Sequence, residues 1–385
     1  MKFTVVSPVF PYPNPGILPG IERYVQYLTL NLKKLGVEIQ IITSFWNGGS
    51  KHDVYKEIPI IRIPDSKKLL GRFGSIARLN HITLGLNFLS KKIYKYFKDS
   101  NIVILVQPFG FTRFLKLKKI PVINISYHFE EPKMFQEYFE LPFFHYLQKK
   151  QYKIHKKVIA VSEATKSSLI SNYKLNQKDI NVIPIGVDTE KFNPNNKSSE
   201  IREKNGDLIL LNAGPMIYRK RVPVLLKAMP KVIKRFPDVK LILLGDGLLL
   251  KKYQNYAKKL KIDKNLVWKG FVNNPEIYYA TSNIFVFPSE KEGCPQVMLE
   301  AMASKCPVIC ANIPPMSDMV EDGGLTFRLD DSNDLARKII DLLANQEKRL
   351  LLGKNAINII KNKYRWSIIT KQLIEYIKSL KNKNK

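Results

Sequence analysis

Glu292 and Glu300 enclose the run Gly293-Cys-Pro-Gln296-Val297-Met298-Leu, a spacing that can do chemistry if it lies on the right element. The run follows an apolar strand ending at Phe287-Pro-Ser. Pro295 then suits a helix start, because the first N–H of a helix has no helical partner to lose. Such a start offers unpaired N–H groups and partial positive charge, which together make a phosphate site. Glu300 falls about five residues further on, roughly 8 Å along the axis at 1.5 Å per residue. One carboxylate then stands near the phosphate end and the other a sugar's length away, the spacing of a diphosphate and its ribose. Two surface glutamates flanking a core helix would leave the same letters. The strand, the glycine and the helix start together favour the site.

Other segments carry charge or backbone freedom at comparable places. Gly214-Pro-Met-Ile-Tyr-Arg219-Lys220-Arg221 follows an apolar strand, and three cations in a row there would neutralise a diphosphate, with Lys220 the choice for the leaving phosphate. In a chain this basic, a solvated turn reads the same way. Gly245-Asp-Gly247 is a lone GxG and reads first as a tight turn. Pro19-Gly20-Ile-Glu22 opens a helix; Gly20 permits close backbone approach to a ligand, and Glu22 suits the positive end of the helix dipole. His128, beside Glu130 and Glu131, follows the strand Val122–Ser126 and can face a ligand or be structural. There is no Asp-x-Asp, no P-loop and no His/Cys cluster, so metal-bridged phosphate chemistry and P-loop chemistry lose ground. The loop after Ser7 lacks the G-x-G-x-x-G of nicotinamide binding.

The elements that must position these residues are read from periodicity. Phe3–Ser7 is an apolar strand; Val25, Leu28, Leu32 and Leu35 recur at helical spacing up to Gly36; Val37, Ile39 and Ile41 alternate as a second strand. This βαβ unit predicts a parallel sheet covered on both faces. Further strands are expected at Ile102–Val106, Val122–Ser126, Val158–Val161 and Val182–Pro184. A second series covers Leu208–Asn212, Lys240–Leu244, Leu266–Trp268, Ile284–Phe287 and Val308–Cys310. The 385 residues are too many for one ordinary core. The fold class is α/β, two Rossmann-like doubly wound domains facing a central cleft, with ligands beyond the carboxyl ends of the strands. The expected boundaries are an N-terminal Rossmann-like domain over 1–190, a polar linker over 191–206 and a C-terminal Rossmann-like domain over 207–362. A C-terminal helix over 363–385 is expected to pack back towards the first domain.

Composition narrows the class further. Lys and Arg number 63 against 33 Asp and Glu, a net charge of +30 that favours anionic partners but is spread over both halves, as a general lysine bias would leave it. With 45% hydrophobic and 25% charged residues the chain reads as globular. Three cysteines make neither a disulfide framework nor a zinc set, which points to a reducing, cytoplasmic compartment. No signal-peptide pattern or membrane-spanning window is visible.

Taken together these segments resemble the retaining glycosyltransferases of family 4 (glycosyl transferases group 1), which have the GT-B fold. The resemblance covers most of the chain: Pro19-Gly-Ile-Glu22, Ile125-Ser-Tyr-His128, Val158–Glu163, Ile183–Phe192, the Gly214–Lys220 loop, Leu244–Gly247 and above all Glu292–Ala303 running into Cys306-Pro-Val-Ile309. It implies that Glu292 contacts the donor sugar and Glu300 the ribose, that Lys220 holds the phosphates, and that Gly293 and the backbone N–H groups of Gln296, Val297 and Met298 hold diphosphate and sugar. It also implies that Gly270–Val272 meets the base, that Gly20 lies against donor, and that His128 is near the reacting sugar. Three departures stand out. Pro19 replaces a glycine, Pro215 replaces the usual arginine so that Arg219 or Arg221 must supply the second cation, and Pro314-Pro-Met-Ser-Asp318 replaces a Gly-Gly-x-x-Glu pattern.

The implied reaction moves a hexose from a nucleotide diphosphate sugar (UDP- or GDP-linked) to a hydroxyl of a glycan or lipid-linked acceptor with retention. It uses no metal and no cofactor beyond the co-substrate. Between Ser66 and Lys98 lie eight basic side chains and no acidic one, interleaved with apolar residues, and Met134–Lys157 adds four phenylalanines and five lysines. These stretches suggest peripheral contact with an anionic membrane face, or helices packed through their apolar side. A nucleotide-sugar epimerase of the same fold is an alternative. A nucleic-acid-binding protein is another, but no RRM, KH or zinc-finger pattern supports nucleic acid as a partner.

Overall fold

The computed structural model describes residues 1–7, 10, 20–44, 50–63, 94–106, 120–127 and 149–382. His128, Pro19 and nearly all of the basic stretch from Ser66 to Lys98 lie outside the described residues, as does most of Met134–Lys157. The chain forms two compact units, Met1–Pro184 with Thr370–Lys385 and Ile185–Ile369.

The first unit is built on a sheet of strands β1 (Lys2–Val6), β2 (Glu38–Ser44), β3 (His52–Tyr55), β4 (Ile58–Ile63), β5 (Ile102–Val106), β6 (Val122–Ser126), β7 (Val158–Ala160) and β8 (Ile180–Val182). Their spatial order is β3-β4-β2-β1-β5-β6-β7-β8, all pairs parallel except the β3–β4 edge hairpin. That hairpin is a difference from the sequence expectation. β3 reads His-Asp-Val-Tyr and is mostly exposed, and the isoleucines of β4 are interrupted by Pro59 and Arg62. The helix Gly20–Lys34 after β1 buries Tyr24, Val25, Leu28 and Leu32 on one face, the spacing that predicted it.

The second unit holds β9 (Ile209–Ala213), β10 (Lys240–Leu244), β11 (Leu266–Gly270), β12 (Ile284–Phe287), β13 (Val308–Ala311) and β14 (Gly324–Phe327). The order is β11-β10-β9-β12-β13-β14, all parallel. Every residue of β9, β12 and β13 is buried, which explains why continuous apolar runs announced them. β14, Gly-Leu-Thr-Phe, is short and half-buried, and sequence periodicity missed it. The crossover helix Val222–Arg235 between β9 and β10 buries Val222, Leu225, Leu226, Met229 and Val232. Strand order runs outward from β9 to β11, then returns to the other side of β9 with β12. The sheet's switch point is therefore the gap between β9 and β12, where open α/β sheets bind ligands.

Residues 191–206 are not an unstructured linker. Asn193 caps a short 3₁₀ turn at Pro194–Asn196, Ser198 caps the helix Ser199–Asn205 through Ile201 N, and both belong to the second unit. The polar composition there is that of helix caps and one exposed helix face. The last helix, Trp366–Asn382, begins in the second unit, and residues from Thr370 onward group with the first. Among the described residues no helix is long and apolar enough to cross a membrane. Cys294, Cys306 and Cys310 are buried and free, and burial pushes their thiols up, those of Cys294 and Cys310 to about 12.

Candidate functional site

Three glycines with positive φ close the carboxyl ends of β9, β10 and β11: Gly214 (146°), Gly245 (122°) and Gly270 (64°). A Cβ on Gly245 would lie 2.1 Å from the Gly214 carbonyl oxygen, and one on Gly247 2.7 Å from that of Met216. The Gly245-Asp-Gly247 segment is thus more than a turn: it lets the loop after β10 lie flat against the loop after β9. Gly245 N–H donates to the Gly270 carbonyl at 2.6 Å, which ties in the third loop.

That platform sets the loop after β9, whose Tyr218–Lys220 forms a 3₁₀ turn. Arg221 follows in the left-handed region (φ 49°) and hands the chain to the helix Val222–Arg235. Across the switch point, β12 leads through Pro288 and Ser289 to Glu292. The β9–β12 ladder ends at Leu211–Phe285, and beyond it the Asn212 side-chain amide donates to the Val286 carbonyl at 2.9 Å. The two strands separate there, and the side chains of both loops fill the opening.

They meet on one carboxylate. Lys220 Nζ lies 2.6 Å and Arg219 Nη1 2.9 Å from Glu292 Oε1. The Ser289 hydroxyl lies 2.6 Å from the same oxygen and 3.1 Å from the Arg219 carbonyl, with one proton to share between them. Arg219 Nη1 also donates to the Lys291 carbonyl at 3.1 Å, and Glu290 N–H to the Arg219 carbonyl at 2.9 Å, so the two loops are stitched by backbone as well. Lys220 Nζ sits 4.8 Å from the Phe287 ring centroid, the π-face supplementing its hydrogen bonds. Lys220 and Glu292 are both buried.

Burial alone would raise the Glu292 carboxyl. The charges of Lys220 and Arg219, with the hydrogen bonds from Lys220 and Ser289, outweigh it and hold the group down at about 2. For Lys220, burial and the neighbouring Arg219 charge lower the ammonium below its ordinary value, against the pull of Glu292. Two basic side chains thus share one carboxylate.

Arg221 does something else. It pairs with Glu290 through Nη2 and with Asp330 at 3.5 Å through Nε, so of the two arginines that could supply a second cation, Arg219 is the one in the cluster. The helix after Glu292 spans Gln296–Ala303, with Pro295 as its cap residue, one position ahead of the first helical residue where a proline was expected. Met298 N–H donates to the Pro295 carbonyl at 3.1 Å, so its backbone donor is already used. Gln296 and Val297 keep the first-turn N–H groups that remain. Gly293 and Glu300 are buried, Glu300 at 3% exposure one turn inside that helix. Val272 is half-buried two residues beyond β11, next to the exposed Phe271. Among the described residues no His/Cys/Asp/Glu cluster could hold a metal. Ser289 was missed from the sequence. Its only signal was its place between a strand end and Glu292.

In the first unit, Gly20 is the first residue of its helix and exposed, and the Tyr127 hydroxyl donates to its carbonyl at 3.0 Å. Tyr127 immediately follows β6, so the start of that helix is tied to the end of β6 at the residue preceding His128. Glu22, in the first turn of the same helix, is 3% exposed and its Oε2 has no hydrogen-bond partner among the described residues. Burial pushes its carboxyl up to about 8. The solvated acid favoured by a helix dipole is not what this position holds.

Two adjoining family models cover most of the chain: Glycosyltransferase Family 4 over residues 19–191 and Glycosyl transferases group 1 over residues 194–359. A sulfoquinovosyl transferase of Arabidopsis thaliana is 28% identical over 287 residues, 70% of this chain and 54% of the relative. An alpha-monoglucosyldiacylglycerol synthase of Streptococcus pneumoniae is 29% identical over 41% of this chain and 40% of that protein. The chain thus spans about half the length of these two relatives. The fold recurs in the sucrose-phosphate synthase of Thermosynechococcus elongatus (TM-score 0.81, 19% identity, 98% of both chains). It recurs also in an Anabaena protein solved with UDP-glucose (TM-score 0.75, 18% identity, 98% of this chain and 100% of that one). Two parallel-sheet α/β units, the two adjoining family models and these neighbours agree: the chain belongs to the group 1, family 4 glycosyltransferases and has their GT-B fold.

Proposed function

We propose that this glycosyltransferase moves a hexose from a nucleotide diphosphate sugar to a hydroxyl of a glycan or lipid-linked acceptor, with retention and without an obligatory metal. The observation that carries the reading is the convergence of Lys220 and Arg219 on Glu292 at the switch point of the second sheet. A departing diphosphate needs fixed positive charge where its own charge develops, and a buried lysine with a half-buried arginine beside a helix start supply that without reorganisation. In the proposal the diphosphate takes Lys220, Arg219 and the N–H groups of Gln296 and Val297, which frees the Glu292 carboxylate for the sugar hydroxyls. Glu300 takes the ribose, and the Gly270–Val272 loop takes the base. His128 and Gly20 are proposed to act from the first unit, His128 near the reacting sugar.

UDP is the first donor base to try, since the Anabaena neighbour was solved with UDP-glucose. A lipid-linked acceptor draws support from the Streptococcus relative, named for a glucosyl-diacylglycerol product, and from the basic, apolar-interleaved stretches of the first half of the chain. The absence of any Asp-x-Asp sequence supports the metal-free route. The test is a thermal-shift panel of UDP, GDP, ADP and their sugars in EDTA and then in magnesium. A ligand at 100 times its Kd adds about 2.7 kcal/mol, enough to move the midpoint by several degrees. A shift with one base in EDTA, followed by an anomeric proton of unchanged configuration in the NMR spectrum of the product, is the expected result. No shift with any nucleotide would overturn the donor assignment.

A further inference from the structure

The parallel sheet of the second unit has a second end, and it too gathers charge. Where Asn283 leads into β12 and Pro307 into β13, a recess of about 280 Å³ opens. The four residues of β12, at about 3.3 Å each, put it roughly 13 Å along the strand from the Glu292 end. Lys197, Arg202, Lys305 and Arg349 line it, and no carboxylate does. The chain as a whole has about one acid for every two bases. Four cations nonetheless reach one recess from three separate segments, with no acid among the lining residues.

The two arginines are held in place by hydrogen bonds. Arg349 Nη1 donates to the carbonyls of Leu342 and Leu343 at 2.5 and 2.7 Å, which fixes the guanidinium against the end of the preceding helix. Arg202 Nη2 donates to the Thr281 carbonyl at 3.3 Å, and its carboxylate neighbour, Asp207 at 3.5 Å, is 91% exposed and screened by water. Lys305 is in the left-handed region (φ 62°), and Gly353 lets the helix Gln346–Ile359 approach it: a Cβ there would lie 2.4 Å from the Lys305 carbonyl oxygen. Neither Lys197 nor Lys305 has a carboxylate partner among the described residues. Gln346, also at the wall, is the first residue of that 14-residue helix, so the positive end of its dipole adds to the four side chains.

We infer that this recess is a second anion site, taking a ligand that bears one or two phosphate groups. Arginine forks and lysine point charges are the side chains that hold phosphate. The volume falls just below the about 300–1,000 Å³ of pockets that enclose drug-sized ligands, so a phosphate or diphosphate group fits and a whole nucleotide sugar does not. The phosphate can belong to a free small anion or to a lipid headgroup, and the inference depends on neither the donor nor the acceptor proposed above.

The test uses the full chain with Arg219→Gln, Lys220→Met and Glu292→Gln together, which removes the charged groups of the carboxyl-end cluster. Calorimetric titration with pyrophosphate is expected to show one site in this background. Adding Lys197→Glu and Lys305→Glu should weaken it at least tenfold at fixed salt. Lys197→Gln with Lys305→Gln should fall between, and its unchanged melting temperature guards against unfolding as the cause. Lys258→Glu with Lys259→Glu, an exposed pair on another helix, should leave binding unchanged. Co-sedimentation with phosphatidylglycerol but not phosphatidylcholine vesicles, lost with the same two lysines, would assign the phosphate to a lipid. Pyrophosphate binding without vesicle binding would assign it to a free anion. The inference is overturned if the background binds neither probe, if Lys197→Glu with Lys305→Glu changes nothing, or if the control pair weakens binding equally.

Discussion

Glu22 and Glu292 are both buried glutamates on the connection that follows a strand flanking the switch point of its sheet, β1 in the first unit and β12 in the second. They differ in charge state. Glu292 meets Lys220, Arg219 and Ser289 and is held at about 2; Glu22, with its Oε2 unpartnered among the described residues, is pushed up to about 8. Burial acts on both in the same direction, so the partners decide the outcome. A carboxylate kept ionised beside two cations suits contact with a ligand whose charge changes during reaction. A carboxyl kept neutral at pH 7 is a hydrogen-bond donor that a ligand hydroxyl or carbonyl can meet.

The largest effect should come from stripping Glu292 of its nearest cation. Lys220→Ala leaves a buried carboxylate with Arg219 alone, and breaking a buried pair from one side costs about 3–5 kcal/mol of stability. Transfer should fall by about 10²–10³, the usual loss of one fixed charge-stabilising donor. The double variant Lys220→Met/Glu292→Gln separates the two effects: stability returns to within about 1 kcal/mol of the parent, because a buried pair replaced as a pair is nearly neutral, while transfer stays lost. The sign on the acid side follows from the lowered carboxyl. Glu292 contributes stability above its ordinary 4.5 that is lost as pH falls towards about 2, and the double variant should lack that acid-side loss. Transfer by Lys220→Ala at the parent's rate would break the assignment.

Glu22 predicts the opposite slope. Its folded-state carboxyl is raised above 4.5, so between about pH 4.5 and 8 the folded chain binds more protons than the unfolded one, and stability falls as pH rises. Glu22→Gln removes the titration. At pH 8.5 the variant should be more stable than the parent by on the order of 2–4 kcal/mol, discounted for solvent screening, and at pH 5 the two should nearly coincide. Urea midpoints at the two pH values measure it. Parallel parent and variant values would mean that Glu22 is ionised at neutral pH, and the contrast with Glu292 would vanish.

None of this contrast was legible in the sequence, though much of the scaffold was. β5 and β6 were read to the residue, because strands buried on both faces of a parallel sheet are unbroken apolar runs. The β3–β4 hairpin was not, since an exposed edge strand carries no such run. Residues 191–206 looked like a linker because the polarity of Asn193 and Ser198 was counted as composition, when both are caps. Glu292, Lys220 and the helix after them were picked out by type and spacing. Their meeting was not, because it depends on β12 returning beside β9, and strand order is a property of the whole sheet. Burial of a short acid is equally invisible: Glu22 sits where a solvated glutamate would serve a helix start just as well.

Ser289→Ala tests the comparison by degrees. It takes one hydrogen bond from Glu292 and leaves both cations, moving the carboxyl a step towards the condition of Glu22. Hydrogen bonds to charged groups contribute about 1.5–3 kcal/mol, and the loss should be at the lower end because the hydroxyl proton is shared with the Arg219 carbonyl. The Glu292 carboxyl should rise from about 2, and the acid limb of a stability–pH curve should move to higher pH. An unmoved limb would mean that the hydroxyl proton rests on the Arg219 carbonyl and that the two cations alone hold Glu292 ionised.

The smallest effect is expected at Arg221, and it separates the two arginines beside Lys220. Arg221 faces Glu290 and Asp330 with side chains 38%, 32% and 50% exposed, so its pairs lie in water. Exposed ion pairs contribute about 0–1 kcal/mol, and Arg221→Ala should cost no more than that while transfer stays within a few-fold of the parent. Arg219→Ala, at the same kind of residue two positions earlier, removes a cation 2.9 Å from Glu292 and should cost transfer about as much as Lys220→Ala. Steady-state rates of the two variants under one set of conditions decide it. Should Arg221→Ala lose transfer and Arg219→Ala keep it, the diphosphate would lie on the Glu290–Asp330 side of the loop, and the cation pair on Glu292 would be structural.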